Sequence, residues 1–86
     1  MDNIPRVLPK SSDAVIDTRC WRVPEIFKFI GEVGKIDREE MYQVFNMGIG
    51  MVAIVADQDT ERAMSILHAK RIGRIERGSR KTRLIF

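Results

Sequence analysis

The sequence predicts an α+β fold, with helices packed on one face of a mostly antiparallel sheet. Apolar residues recur at helical spacing in two consecutive segments near the middle of the chain, an almost unbroken apolar run from Ile49 to Ala56 follows them, and two short β-rich segments stand at the end. The resulting order is strand, two helices, strand, helix, two strands, which lays helices on a sheet.

Each element has a local cause. In "NIPRVLPK", Pro5 and Pro9 fix φ and push Ile4 and Leu8 into extended conformations, so the stretch reads as a loop lying across a surface. "AVID", Ala14 to Asp17, is short and β-branched and reads as an edge strand. Pro24 at a first helical position and Glu25 in the first turn open a helix whose apolar stripe is Ile26, Phe29, Ile30 and Val33 and whose stop is Gly34. Asp37, with Glu40 three residues on, forms an aspartate capping box for a second helix that buries Met41, Val44 and Phe45 and ends at Asn46. The run Ile49 to Ala56 reads as a central strand covered on both faces. Asp57 or Asp59 caps a third helix with Ala63, Ile66 and Leu67 on one side. "RIGRIE" and "TRLIF", separated by "RGSR", read as a closing hairpin.

Eighty-six residues, 44% hydrophobic and 31% charged, make one small globular unit. A chain this short buries a modest fraction of its surface, so it is marginal alone and a larger partner or further chain is expected. The longest apolar run is far shorter than the roughly 20 residues that cross a bilayer, and the polar, proline-broken N-terminal stretch does not read as a signal peptide. The single cysteine, Cys20, forms neither an internal disulfide nor a metal-binding pair, which implies a reducing, cytoplasmic setting. With no adjacent base it reads as an inert, partly buried thiol. His68 lies on a polar helix face and reads as solvated; Met41, Met47, Met51 and Met64 read as core filler.

The net charge of +3 is unevenly spread. Lys70, Arg71, Arg74, Arg77, Arg80, Lys81 and Arg83 stand against Glu76 alone, a cluster whose field can hold phosphate or nucleic acid. A solvated outer face on terminal strands is the better-favoured reading, because the only Trp and Tyr are far away in sequence and no stacking platform accompanies the charge.

"FNMGIGM", Phe45 to Met51, sets two glycines and an asparagine between a helix and the best core strand. A glycine after a helix takes φ > 0, and a second at a strand start lets another backbone or a ligand approach closely. Asn46 either caps the helix or hydrogen-bonds a neighbouring loop or substrate. A tight packed junction is the preferred reading; G-x-G without a following helix is not a phosphate fingerprint.

"DNIPRVLP", then W-x-x-P-x-x-F at Trp21 to Phe27, then "EEMYQVFNMGIGM" resemble, in order and at similar spacing, the C-terminal part of the aminoimidazole ribonucleotide synthetase (phosphoribosylformylglycinamidine cyclo-ligase) family. The resemblance covers nearly the whole chain but only the last, smaller part of the family's polypeptide. It implies that residues 1–86 are a partial C-terminal domain, a fragment of a larger α/β domain beginning mid-domain at Met1. The family's glycine-rich segment and its N-terminal ATP-binding and dimerisation domain have no counterpart.

The implied activity is an ATP-dependent ring closure in purine biosynthesis that converts formylglycinamidine ribonucleotide to aminoimidazole ribonucleotide. ATP phosphorylates the formamide oxygen, the amidine-side nitrogen attacks, and phosphate leaves. ATP and Mg2+ are expected to bind mainly outside these residues, with the missing domain and a homodimer as partners of the full-length enzyme, no membrane, and nucleic acid disfavoured. The small basic nucleic-acid-binding module remains the alternative.

Within the resemblance, Arg6 in "NIPR" either clamps a substrate phosphate through its planar fork or makes a surface ion pair, and Asn3 shares that ambiguity. Asn46, Gly48 and Gly50 match the family motif, as structural support of an active-site wall ahead of direct contact. One departure stands out. The family usually carries a longer connection after the last helix, whereas here "LHAK" runs directly into Arg71, which puts the register of the final strands in doubt.

Overall fold

A computed structural model describes all residues, Met1 to Phe86. It is an α+β fold: β1 (Ser12–Asp17), α1 (Glu25–Gly34), α2 (Arg38–Val44), α3 (Thr60–Leu67), β2 (Gly73–Arg77) and β3 (Thr82–Ile85), with 3₁₀ turns at Ile4–Val7, Thr18–Cys20 and Asp57–Asp59. No helix is long and apolar enough to cross a membrane.

The sheet is mixed and ordered β2-β1-β3. β1 pairs antiparallel with β2, Ser12 opposite Arg77 and Ile16 opposite Gly73, and parallel with β3, Ala14 opposite Thr82 and Asp17 opposite Ile85. Two expectations are corrected here. The "AVID" segment is the central strand, its residues 13–16 all buried, and the two final strands flank it instead of forming a hairpin. The reason lies in the connection between them, residues 78–81, which crosses the start of β1. Gly78 N–H bonds Ser11 O, Arg80 N–H bonds Ser12 O, and Lys81 O accepts from Ala14 N–H. Asp13, 7% exposed, anchors the crossing. Its Oδ1 accepts from the Ser79 and Lys81 backbone N–H groups, both at 2.8 Å. A side chain at 78 would run into this carboxylate, so glycine is required by close approach.

One sheet face holds the first core, Ile4, Leu8, Ala14 and Ile16, with Trp21, Ile72 and Leu84 packed against it. Ile4 lies inside a 3₁₀ turn rather than an extended loop, because Pro5 sits within the first turn, where a missing N–H costs nothing. Leu8 is extended as expected, at φ −81°, ψ 142°. On the other face Val15 is covered by an ion-pair lattice. Arg74 and Arg83 both bond Glu76 at 2.6 Å, and Arg83 reaches Asp13 at 3.6 Å.

The second core is Met41, Tyr42 and Met47, with Phe27, Ile30, Phe45 and Phe86 around it. Tyr42 meets the rings of Trp21 and Phe86 edge-on, at centroid distances of 6.5 and 5.4 Å. The helices turn different faces inward from those expected. α1 turns Phe27 and Ile30 towards this core and leaves Ile26, Phe29 and Val33 exposed; α2 buries Tyr42 beside Met41 and exposes Val44; α3 half-buries Ala63 and Met64 and exposes Ile66 and Leu67. Helical periodicity defines an apolar stripe, but the neighbour decides which edge of it is covered.

Caps differ as well. Pro24 is the N-cap of α1, and its left-handed C-cap is Lys35, at φ 51°, one residue past Gly34. Asp37 and Asp59 hold the N-cap positions of α2 and α3, yet neither side chain bonds a backbone N–H, so no capping box forms. α2 ends at Val44, two residues short of Asn46. Cys20 is exposed, not partly buried.

The largest correction concerns Ile49 to Ala56, which forms no strand; Met51 is 91% exposed rather than core filler. Both edges of β1 are already taken by β2 and β3, which leaves this segment no strand of the sheet's centre to join.

The backbone N–H groups of Lys81 and Ser79 hold the Asp13 carboxyl below its ordinary value, with Arg83 adding to the effect. A carboxyl depressed in the folded state stabilises fully above its unfolded value of about 3.8 and loses that contribution as pH falls through the folded one. Asp13→Asn is therefore expected to lower the melting temperature at pH 7, with the gap to the parent closing as pH falls below 3.8 and through the lowered folded value. Thermal melts of both proteins from pH 7 to pH 2 check this.

Candidate functional site

The "NMGIG" segment forms a tight turn. Phe45 is the C-cap of α2, after which Asn46 O accepts from Ile49 N–H at 3.0 Å and Asn46 Oδ1 accepts from Gly48 N–H at 2.9 Å. Met47 stands at φ 54° and Gly48 at φ 100°. Asn46 thus spends its carbonyl oxygen on the turn while its amide N–H groups remain available as donors on an exposed side chain.

Trp21 and Pro24 hold this turn from the other side. The Trp21 indole Nε1–H donates to Met47 O at 3.0 Å, and a Cβ built on Gly48 would lie 2.6 Å from Pro24 Cδ. Trp21 also packs against both cores. Through this one ring, the "DNIPRVLP" segment (Ile4, Leu8), the W-x-x-P segment and the NMGIG turn become neighbours. Trp21 and Pro24 are the residues that sequence reasoning passed over as site builders. The signal was present in the fixed W-x-x-P spacing, but nothing in the linear sequence tells that it faces Met47 and Gly48.

Beyond the turn lies an open apolar groove of about 910 Å³. Gly48 and Gly50 line it, with Ala63 and Met64 of α3 and Ile16 and Ile72 beside β1 and β2. Asn3, Arg6 and Asn46 do not line it. Arg6 is exposed on the 3₁₀ turn; its backbone N–H donates to Asn3 O at 3.3 Å but its side chain makes no hydrogen bond or ion pair, so its guanidinium fork is free, and Asn3 caps that turn only through its backbone. A Cβ on Gly50 would meet nothing within 4 Å, so the close approach expected at the second glycine is not made by any group of this chain.

No group of three or more His, Cys, Asp or Glu side chains is placed to hold a metal ion, and the G-x-G leads into an extended segment instead of a helix N-terminus. Elsewhere, Asp17 is paired with Arg19 through two side-chain bonds of 2.9 Å, which hold its carboxyl at about 2. His68 is exposed, as the C-cap of α3 at φ 51°. The missing long connection after α3 is filled by residues 68–72, after which Asp17 N–H bonds Ile72 O and β2 begins in register at Gly73.

Residues 1–85 match the family described as AIR synthase related protein, C-terminal domain, and the chain belongs to it. Among curated relatives, a phosphoribosylformylglycinamidine cyclo-ligase of Oceanobacillus iheyensis is 50% identical over 66 residues, which are 77% of this chain and 20% of the relative. Proteins of the same name from Caldicellulosiruptor bescii and Desulfotalea psychrophila are 45% and 52% identical over 90% and 79% of this chain, and 24% and 18% of their own lengths. The chain thus spans about one fifth of the length of the relatives it matches.

Gly48→Val is expected to cost about 1–3 kcal/mol for the left-handed backbone alone, and more for the collision with Pro24. Trp21→Phe, which replaces the indole by a smaller ring and removes the bond to Met47 O, should cost at least about 0.5–1.5 kcal/mol for the lost bond, with the lost packing added to it. Arg6→Ala should stay within about 0.5 kcal/mol of the parent. Denaturant unfolding of the three variants orders them.

Proposed function

We propose that residues 1–86 are part of the C-terminal domain of an ATP-dependent cyclo-ligase that converts formylglycinamidine ribonucleotide to aminoimidazole ribonucleotide in purine biosynthesis. The observation that carries this reading is the match over residues 1–85, joined by three cyclo-ligase relatives at 45–52% identity. The full enzyme is read as a cytoplasmic homodimer.

In this reading the chain supplies positioning. A formamide oxygen is a poor leaving group, and ATP supplies the phosphoryl group that makes it a good one, bound by residues outside this chain. Arg6 offers a free, solvent-facing fork suited to the phosphate of the ribonucleotide, with Asn3 beside it on the same turn. Asn46 offers amide donors at the rim of a rigid turn, while Gly48 and Gly50 form the wall behind. Holding reacting groups in place removes much of the entropic barrier to a ring closure.

A basic nucleic-acid-binding module has less support. Within the cluster, Arg74 and Arg83 are tied to Glu76, and Arg80 donates to Leu8 O at 2.8 Å, so these cations serve the sheet.

The experiment is a chimera in which this chain replaces the matched span of the Oceanobacillus iheyensis relative. The chimera should form aminoimidazole ribonucleotide with ATP, and the 86-residue chain alone should show neither turnover nor ATP binding. Arg6→Ala in the chimera should raise KM for the ribonucleotide about 10- to 100-fold with the melting temperature unchanged. Turnover by the isolated chain overturns the division of labour, and unaltered kinetics remove Arg6 from the site.

A further inference from the structure

Of the basic residues near the end of the chain, the sheet uses only some. Arg74 and Arg83 are tied to Glu76, and Arg71 leans on Asp57 at 3.9 Å. Arg77 and Lys81 make no ion pair and no side-chain hydrogen bond, and Arg80 spends only its Nε, on Leu8 O. The fold brings these three to a fourth free cation from the other end of the sequence. Ser12 N–H bonds Pro9 O at 3.1 Å and closes a turn that carries Lys10. The carbonyls of Ser11 and Ser12 accept from Gly78 and Arg80 N–H, both at 2.9 Å, and Ser12 stands opposite Arg77 across the pair of β1 and β2.

Lys10, Arg77, Arg80 and Lys81 therefore share one corner of the sheet, and all four are exposed. No acid occurs from Ile4 to Ser12 or from Arg77 to Phe86, and Asp13 is buried with an oxygen turned to the crossing. Paired strands lie about 5 Å apart, inside the Debye length of about 10 Å at 0.1 M salt, so the fields of these charges add. The mounting is rigid, since every N–H from Gly78 to Lys81 is bonded to Ser11, Ser12 or Asp13. A ligand that binds here orders little of the loop.

We propose that this corner docks a carboxylate-rich segment of a partner protein, with an apolar side chain of that segment seated on Val7. Charge complementarity selects the occupant. A compact oxyanion such as phosphate is usually cradled by converging backbone N–H groups, and here those groups are all spent inward. A single nucleic-acid strand asks for stacking rings, and neither turn contains an aromatic residue. Spread, exposed cations each suit one carboxylate of an extended chain. Val7, 71% exposed and next to the Leu8 carbonyl that Arg80 holds, supplies the apolar contact that protein interfaces carry beside their charges.

The test is fluorescence anisotropy of a labelled, blocked peptide of about ten residues, mostly glutamate with leucine and serine between, on the Oceanobacillus iheyensis chimera and on the 86-residue chain. The peptide should bind at low ionic strength and weaken ~10-fold or more between about 20 and about 200 mM salt. Lys10→Gln, Arg77→Gln and Lys81→Gln made together should weaken it at least ~10-fold, and Lys28→Gln, Lys35→Gln and Arg62→Gln, three exposed cations spread over the helices, by less than ~2-fold. Val7→Ser should weaken this peptide but not one in which serine replaces each leucine. Neither triple variant should change the turnover of the chimera. Absence of binding at low salt overturns the proposal, as do equal losses in the two triples. It also falls if tripolyphosphate or a nucleic-acid oligomer binds this corner more tightly than the peptide, or if the parent self-associates at low salt and the first triple abolishes that association. An inactive chimera that loses the peptide with the first triple alone sinks the functional reading and leaves the acidic partner standing.

Discussion

The carboxylate of Asp13 carries the topology of the sheet. A connection that leaves β2 and must reach the far side of β1 has to cross the end of that strand, where its backbone N–H groups would otherwise have no acceptor. Asp13 supplies one oxygen to two of them. It lies buried at the point where the crossing is tightest, under a glycine that leaves room for it. Arg83 and Glu76 continue the same charge lattice across the solvent face, and the ionic cover lets Val15 be buried on a face with no second layer of helices above it. Two of the seven cations of the basic cluster that stands out in the sequence, Arg74 and Arg83, are thus the complement of two buried or half-buried acids.

Trp21 is the second fixed point. It closes the sheet core on one side and the aromatic core under α1 and α2 on the other, and its single polar atom pins the left-handed turn at Met47. An aromatic ring with one N–H suits this place, since its body belongs to two apolar clusters and its tip to a backbone carbonyl. The turn in which family resemblance places Asn46 and Gly48 is rigid because of a residue more than twenty positions away.

Local chemistry made much of this legible. The three helices and the three strands of the sheet lie close to where proline, glycine and apolar spacing place them, and the junction at Gly48 does have the positive φ that its position suggests. What the sequence could not reveal was non-local. Nothing in "AVID" tells that it is central, because that depends on a loop nearly seventy residues later folding over Asp13. Nothing in the α1 stripe tells that Phe27 rather than Phe29 meets a neighbour. Ile49–Ala56 reads as a covered strand from its composition, yet both edges of β1 are taken by later strands and the segment is exposed and forms no strand. Arg6 was legible as a phosphate-binding candidate only through resemblance, and the structure leaves it free but does not gather it with Gly48 and Gly50 in one groove.

The position of β1 between two later strands also sets a timetable. Ser12 pairs with Arg77 and Ala14 with Thr82, so every hydrogen bond of the sheet closes a long loop and none forms between neighbours in sequence. Such non-local pairing is slow, because chain entropy is lost before any contact rewards it. During synthesis the strand that becomes the centre of the sheet emerges first and waits, its apolar residues uncovered, until residue 85 has been made. Helices α1 and α2 can form meanwhile from local contacts. In the cell this segment is therefore an early client for whatever shields nascent apolar strands, and the interval of risk is fixed by translation speed rather than by the stability of the finished fold.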